Sequence, residues 1–414
     1  MPTTTTRPAL EVADIIRAHG DTYRVNHLLS LEQATVLRHV ETCRTAVLGG
    51  HVDACLACGY QRISYNSCRD RHCPKCQAVK RAMWLDTRLE RLLPVEYFHV
   101  VFTLPAALYP LLRYNQRLLY DLLFDTASQT LLTLAADPKR LGGQIGVTAI
   151  LHTWGQNLLF HPHLHCVVTG GGLSVDENEW IPARPGYLLP VKVLGRLFRG
   201  KFLAGLRQVY QAGQLNLPPN LTHLSQGEAF RTWLGSLYRQ DWVVYAKRPF
   251  GGAEQVFRYL GRYSHRVAIA NSRLLALEDG QVYFRWKDYA DDDKTKVMCL
   301  SAEEFLRRWL LHVLPKRFVR IRHYGLLASR NVATKLVRCH QLLGQGTEPP
   351  QAKIEPKSWR EWLQEWSGQD WSCCPHCQGP LTRRPLEEVL TTGGQISLPV
   401  VLETSGVGAV MNSS

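Results

Sequence analysis

Three stretches of this sequence carry side chains whose type and spacing could do chemistry, and the first is rich in thiols. Cys55 and Cys58 form one Cys-x2-Cys pair and Cys73 and Cys76 a second, with fourteen residues between the pairs. Two such pairs on tight turns present four thiolates, and four thiolates complete a tetrahedron around zinc. Gly59 follows the first pair and Pro74 lies inside the second, both suited to such turns. A structural zinc at Cys55, Cys58, Cys73 and Cys76 is therefore expected, with Cys68, His72 and His51 as substitute ligands or donors to a second ion. Four thiolates leave no open coordination position, so this ion is a scaffold rather than a catalyst. Arg62, Arg69, Arg71, Lys75, Lys80 and Arg81 decorate the stretch and add DNA contact to its expected role.

The second stretch is His161-Pro162-His163-Leu164-His165. On a strand, side chains alternate with period two, so all three histidines share one face while Leu164 anchors the other. His163 and His165 could share one divalent ion, and a third ligand is open among His161, His152 and Gln156. The third stretch places Tyr259 and Tyr263 at i, i+4 on one helical face, with Arg258, Arg262 and Arg266 interleaved. Arginines so placed argue for phosphate nearby. A tyrosine hydroxyl, with a reference pKa of about 10, needs a metal or base to become a nucleophile toward phosphorus.

Other motifs carry less. Gly195-x4-Gly200-Lys201 approaches a phosphate-binding loop, but Phe202 stands where Ser or Thr is required, and Leu194, Leu197, Phe198 and Leu206 form an apolar helix face. Asp291-Asp292-Asp293 reads as a solvated turn. The knuckle from Cys373 to Cys377 is half a zinc site that would have to recruit Cys339 or His340.

The elements that must position these residues follow from pattern. Short helices fit residues 10 to 48, and a basic helix fits about 77 to 93. Strands are expected at Phe98–Leu104, Ile145–Trp154, Leu158–Thr169 and Trp242–Ala246, with two more near 267–270 and 281–287 completing a small sheet. Helical texture fills about 108–136 and 191–212, and a helix is expected from Gly251-Gly252 to His265. Between Ser301 and Arg338 nine Lys or Arg stand against two acids on a Leu-rich background, which reads as a basic helical region holding Arg317, Arg320 and Arg322. A linker with Pro349-Pro350 and a Trp-rich helix (Trp359, Trp362, Trp366) precede the knuckle.

The chain has 414 residues, 45% hydrophobic and 20% charged, enough for two or three packed modules and incompatible with wholesale disorder. Its net charge of +14 points to a polyanionic partner. No apolar run approaches the roughly 18 residues of a membrane span, and the start lacks a secretory segment. Five of the twelve cysteines cluster between Cys55 and Cys76, which reads as metal binding in a reducing compartment, so a cytoplasmic protein is expected.

Together these residues resemble the two-tyrosine, rolling-circle transposases of the insertion sequence 91 family, within the HUH endonucleases. The resemblance rests on four ordered blocks: Ser67 to Cys76, His161 to His165, Tyr259 to His265, and Leu314 to Gly325. It implies an α+β fold with an antiparallel sheet flanked by helices. The implied layout is an N-terminal zinc module over 1–94, an HUH nuclease domain over 95–290, a basic helical DNA-binding region over 291–345, and a tail over 346–414. It also implies a single-strand DNA endonuclease and strand transferase. His163 and His165 would hold Mg²⁺ or Mn²⁺, and Tyr259 or Tyr263 would form a 5′-phosphotyrosine. Arg258, Arg262, Arg266, Arg317, Arg320 and Arg322 would face DNA. The implied partners are single-stranded element ends and target, beside host replication proteins, at the bacterial nucleoid. A plasmid-type replication initiator or relaxase would share the chemistry, and a zinc-finger regulator with structural His and Tyr would bind duplex DNA without forming an adduct. A zinc hydrolase is disfavoured, since the thiolates close the zinc and the histidine strand lacks a glutamate base.

Overall fold

The computed structural model describes residues 10–76, 83–85, 88–89, 91–247, 268–344, 361, 364, 368 and 370–391. Most of the basic helix expected over 77–93, the tyrosine helix with Tyr259, Tyr263, Arg258, Arg262 and Arg266, and Trp359, Trp362 and Trp366 lie outside them. In chain order the strands are β1 (Gly50–Cys55), β2 (Gln61–Tyr65), β3 (Tyr97–Thr103), β4 (Gly146–Trp154), β5 (Phe160–Thr169), β6 (Gly171–Leu173) and β7 (Trp180–Pro182). They continue as β8 (Val244–Lys247), β9 (Leu274–Glu278), β10 (Gln281–Asp288), β11 (Lys294–Ser301), β12 (Ile321–Gly325) and β13 (Leu381–Pro385). Every strand pairing among the described residues is antiparallel, so the α+β class holds. No helix among the described residues is long and apolar enough to cross a membrane.

The chain divides into two compact units, and the division is not the sequential one expected from the sequence. One unit gathers residues 1–83, 265–313 and 353–414, the other 84–264 and 314–352. The first is built on helices Val12–Asn26 and Leu31–Thr42, which begin with reciprocal caps. Ser30 Oγ accepts from the Gln33 amide at 3.2 Å while Gln33 Oε1 accepts from the Ser30 amide at 3.0 Å. β9, β10 and β11 form a three-stranded meander, and helix Ala302–Leu310 buries Phe305, Leu306 and Trp309. A second three-stranded sheet, in order β13-β1-β2, joins the C-terminal strand to the N-terminal hairpin.

The second unit is organised by a five-stranded sheet, in order β12-β4-β5-β3-β8. One face, carrying Phe102, Leu164 and Cys166, is wholly buried and lies against helices Gln116–Ala136 and Val191–Gln211, with Phe102 packed edge-on to Phe198 at 4.9 Å. On the other face Tyr97, Ile150 and Val167 form an apolar cluster with Trp84, Leu85 and Leu89, and the histidines lie further along. Val191–Gln211 is one uninterrupted helix with Leu194, Phe198, Phe202 and Leu206 buried, as the apolar spacing requires and contrary to a phosphate loop.

The region 291–345 is not the helical block expected. It contains β11, helix Ala302–Leu310, β12 and helix Lys335–Leu342. β12 closes the edge of the five-stranded sheet beside β4, pairing Ile321 with Ile150 and Gly325 with Gly146. No strand forms at residues 268–270, residue 267 lying outside the described residues, and the strand expected near 281–287 is β10, in the meander of the first unit and not in the histidine sheet.

Candidate metal centres

His163 and His165 lie on β5, and His152 on β4 stands opposite His163 in the ladder. Cross-strand partners and i+2 neighbours share a face, so the three imidazoles converge with ligand nitrogens within 4.8 Å of one another. His163 Nε2 and His165 Nε2 are 3.0 Å apart. His163 Nδ1 donates to the His161 carbonyl at 2.6 Å, which fixes its tautomer and leaves Nε2 with its lone pair toward the cluster. His165 Nδ1 lies 2.7 Å from His99 Nε2, and the two rings are within 13° of coplanar with centroids 5.0 Å apart, an edge-to-edge in-plane bond. His152 stacks on Trp154 at 4.6 Å.

Burial holds this cluster neutral. The His163 and His99 rings are pushed down to about 4 by desolvation. His152 and His165 are pushed well below the ordinary histidine value, first by burial and then by the neighbouring imidazoles. Neutral imidazoles are ligands, so the donor set fits a divalent cation. Among the described residues the set is three nitrogens with no carboxylate, which suits a transition ion such as Mn²⁺ better than the oxygen-seeking Mg²⁺. Of the three residues open as third ligand, the structure brings His152 into the cluster. His161 bonds Tyr109 Oη through Nδ1 at 2.7 Å and is not one of the three.

The four cysteines expected to share one zinc are not brought together. Cys73 and Cys76 cluster with Cys43 and Cys68, while Cys55 and Cys58 cluster with Cys374 and Cys377. The reason is the hairpin between them. Cys55 and Cys58 sit at its tip, whereas Cys68 to Cys76 follow β2 back to its base. Five paired residues at about 3.3 Å each separate tip from base by roughly 17 Å, beyond the reach of one ion. Cys43, missed in the sequence, caps helix Leu31–Thr42 and reaches Cys76 Sγ at 3.3 Å and Cys73 Sγ at 3.6 Å. Cys68 completes this tetrad at 3.6 Å from Cys76.

His51 and His72 join neither tetrad. His72 and His39 instead tie down Asp70, whose oxygens also accept the His72 amide at 2.8 Å. Burial alone would raise the Asp70 carboxyl, but these bonds outweigh it and hold it at about 2. The knuckle finds its partners at Cys55 and Cys58, while Cys339 lies in the other unit in an apolar cluster with Leu326 and Leu336.

The expected DNA-facing arginines also sort differently. Arg317 is exposed at a turn with φ +61°. Arg320 is buried, and Arg322 is paired with Asp121 and lies 4.2 Å over the Phe124 ring. Arg62, expected among the zinc-module DNA contacts, is buried and bonds Asp53 at 2.9 Å.

Comparison with known proteins agrees with this architecture. Residues 15–104 match the family described as "Transposase zinc-binding domain", and residues 146–335 match the one described as "Putative transposase". The first match and the cysteine clusters support structural zinc. A "Putative transposase y4qJ" of Sinorhizobium fredii (strain NBRC 101917 / NGR234) is 52% identical over 372 residues, covering 90% of this chain and 94% of that protein. The transposase for insertion sequence element IS801 of Pseudomonas savastanoi pv. phaseolicola is 30% identical over 342 residues, covering 79% and 78%. No solved structure matches the chain.

Proposed function

Because the chain belongs to the insertion sequence 91 family of transposases, we propose that it cleaves and rejoins single-stranded DNA through a 5′-phosphotyrosine, the chemistry of rolling-circle transposition. The observation that carries this reading is the convergence of His152, His163 and His165 on one sheet face. A divalent cation bound there supplies Lewis-acid polarisation of the scissile phosphate. The protein's own part is to aim nitrogens and keep them neutral. His163 presents Nε2 because its Nδ1 hydrogen is committed to the His161 carbonyl, and His99 orients His165. Leu164, fully buried between them, pins the strand so that both rings stay on the outer face.

Tyr259 or Tyr263, outside the described residues, supplies the attacking hydroxyl. Its Oη bonds to phosphorus, the bond from phosphorus to the 3′ oxygen breaks, and the hydroxyl proton ends on that departing oxygen. The ester keeps the bond energy, so a 3′-hydroxyl reverses the step without ATP, and a second tyrosine can hold one end while the first cuts. Chain path supports the assignment. β8 ends at Lys247, paired with His99, and Tyr259 follows twelve residues later. Twelve residues span at most about 40 Å, ample to return a side chain to the histidine face.

The test is Mn²⁺-dependent cutting of labelled single strands taken from DNA flanking the gene. His163→Ala is expected to abolish cutting while single-strand binding persists, and undiminished metal-dependent cutting by that variant refutes the site.

A further inference from the structure

The Cys373–Cys377 knuckle lies outside both matched family segments, 15–104 and 146–335. Its thiols nonetheless meet others. Cys377 Sγ is 3.4 Å from Cys55 Sγ, and Cys374 Sγ is 3.5 Å from Cys58 Sγ. Zinc–sulfur bonds of about 2.3 Å give a tetrahedron with sulfur–sulfur edges of about 3.8 Å. The thiols therefore stand near ligating separation and far outside the about 2.05 Å of a disulfide.

The two knuckles also have the same backbone. In each, the first cysteine donates its amide to the carbonyl five residues on, Cys55 to Tyr60 and Cys374 to Gly379, both at 2.8 Å. In each, the residue four on donates back, Gly59 to the Cys55 carbonyl at 3.0 Å and Gln378 to the Cys374 carbonyl at 2.9 Å. That fourth residue is left-handed both times, φ +74° at Gly59 and +60° at Gln378, a conformation glycine adopts freely and glutamine resists. Amides at the second and third positions after the first cysteine face its sulfur, Ala57 and Cys58 on Cys55, His376 and Cys377 on Cys374. Such donors favour thiolate. Gly379 completes the fit, since a Cβ there would stand 3.3 Å from Cys377 Sγ and 3.6 Å from Cys55 Sγ.

We infer that Cys55, Cys58, Cys374 and Cys377 hold a second zinc ion, separate from the one at Cys43, Cys68, Cys73 and Cys76, and that this ion fastens the C-terminal strand β13 to the N-terminal hairpin. Independent contacts carry the same strand to the same place. β13 pairs with β1 from His51↔Pro385 to Cys55↔Leu381. Arg383 forks onto the buried Asp53 carboxylate at 2.6 and 3.0 Å, and Tyr60 packs on His376 at 4.7 Å. The staple joins thiols 316 positions apart in sequence, so the zinc module is finished only by the C-terminal segment.

The experiment uses full-length protein expressed in cobalt-supplemented medium. Thiolate-to-cobalt charge-transfer absorption counts sulfur-bound ions alone, so an ion at the histidine cluster does not enter, and the outcome is independent of the nuclease reading. Two equivalents are expected in the unsubstituted chain. Cys55→Ser with Cys58→Ser is expected to leave one, Cys374→Ser with Cys377→Ser one, and all four together still one. Cys374→His, which keeps a ligand and guards against misfolding, is expected to hold two equivalents with weaker charge transfer. One equivalent in the unsubstituted chain overturns the inference, as does a Cys374→His spectrum identical to the unsubstituted one.

Discussion

Replacing His99 by alanine leaves the three converging imidazoles in place and removes only the group that orients one of them. His99 Nε2 faces His165 Nδ1 at 2.7 Å with the rings nearly coplanar. When His165 offers Nε2 to a cation its proton must sit on Nδ1, and His99 is the acceptor that holds it there. Without that acceptor a buried donor loses its partner, costing about 1–3 kcal/mol in the metal-ready tautomer. Outer partners of this kind are typically worth about 10–100-fold in metal affinity or activity, about 1.4–2.7 kcal/mol. His99→Ala is therefore expected to raise the Mn²⁺ concentration for half-maximal single-strand cleavage by about 10–100-fold, with the rate at saturating Mn²⁺ little changed. His99→Gln, which restores an acceptor, is expected to recover part of the loss. An unchanged Mn²⁺ requirement in a folded His99→Ala protein would refute the positioning role.

Further expectations concern stability. Asp53→Ala removes a carboxylate whose side chain is 3% exposed and takes its ion pair from the buried Arg62 and its fork from Arg383; a loss of about 3–5 kcal/mol is expected in urea unfolding, and a loss under about 1 kcal/mol would mean the cluster is not buried as described. Gly325→Ala places a Cβ 1.9 Å from the Ile145 carbonyl at φ +60°, so β12 must shift from β4. Destabilisation of about 3 kcal/mol or more is expected in thermal unfolding, and an unshifted midpoint contradicts the register. The pH dependence follows from burial, which holds His99 and His163 to about 4 and His323 to about 3. Below the unfolded value of about 6.5 the unfolded chain takes up protons that these rings refuse. Their contribution is thus intact above about pH 6.5 and is lost progressively toward pH 4, at up to about 1.4 kcal/mol per pH unit for each ring. His323→Asn is expected to flatten that slope, and stability that rises on acidification contradicts it.

The histidine site was legible in the sequence because it is local. Period-two alternation around Leu164 puts His163 and His165 on one face whatever else the chain does. His152 could be named only as one of three because the register of β4 against β5, which sets His152 opposite His163, is a long-range fact. The zinc module misled for the same reason. Cys55, Cys58, Cys73 and Cys76 are neighbours in sequence, but the β1–β2 hairpin holds the pairs at opposite ends and each finds partners elsewhere. A signal was present, since Cys374-x2-Cys377 is followed by Gln378-Gly379 much as Cys58 is followed by Gly59. In the basic region, arginine density hid a strand. Ile321, His323 and Gly325 alternate with Arg322 and Tyr324, yet β12 exists because it completes a sheet edge with β4.

The most direct test of phosphotyrosine transposase chemistry mixes full-length protein and Mn²⁺ with end-labelled single strands from DNA flanking the gene, resolved on a denaturing gel. Label migrating with the protein, lost when Tyr259→Phe and Tyr263→Phe are combined although binding persists, is the expected result. Tight binding to those strands with no covalent label, or an adduct that survives the double substitution, would contradict it.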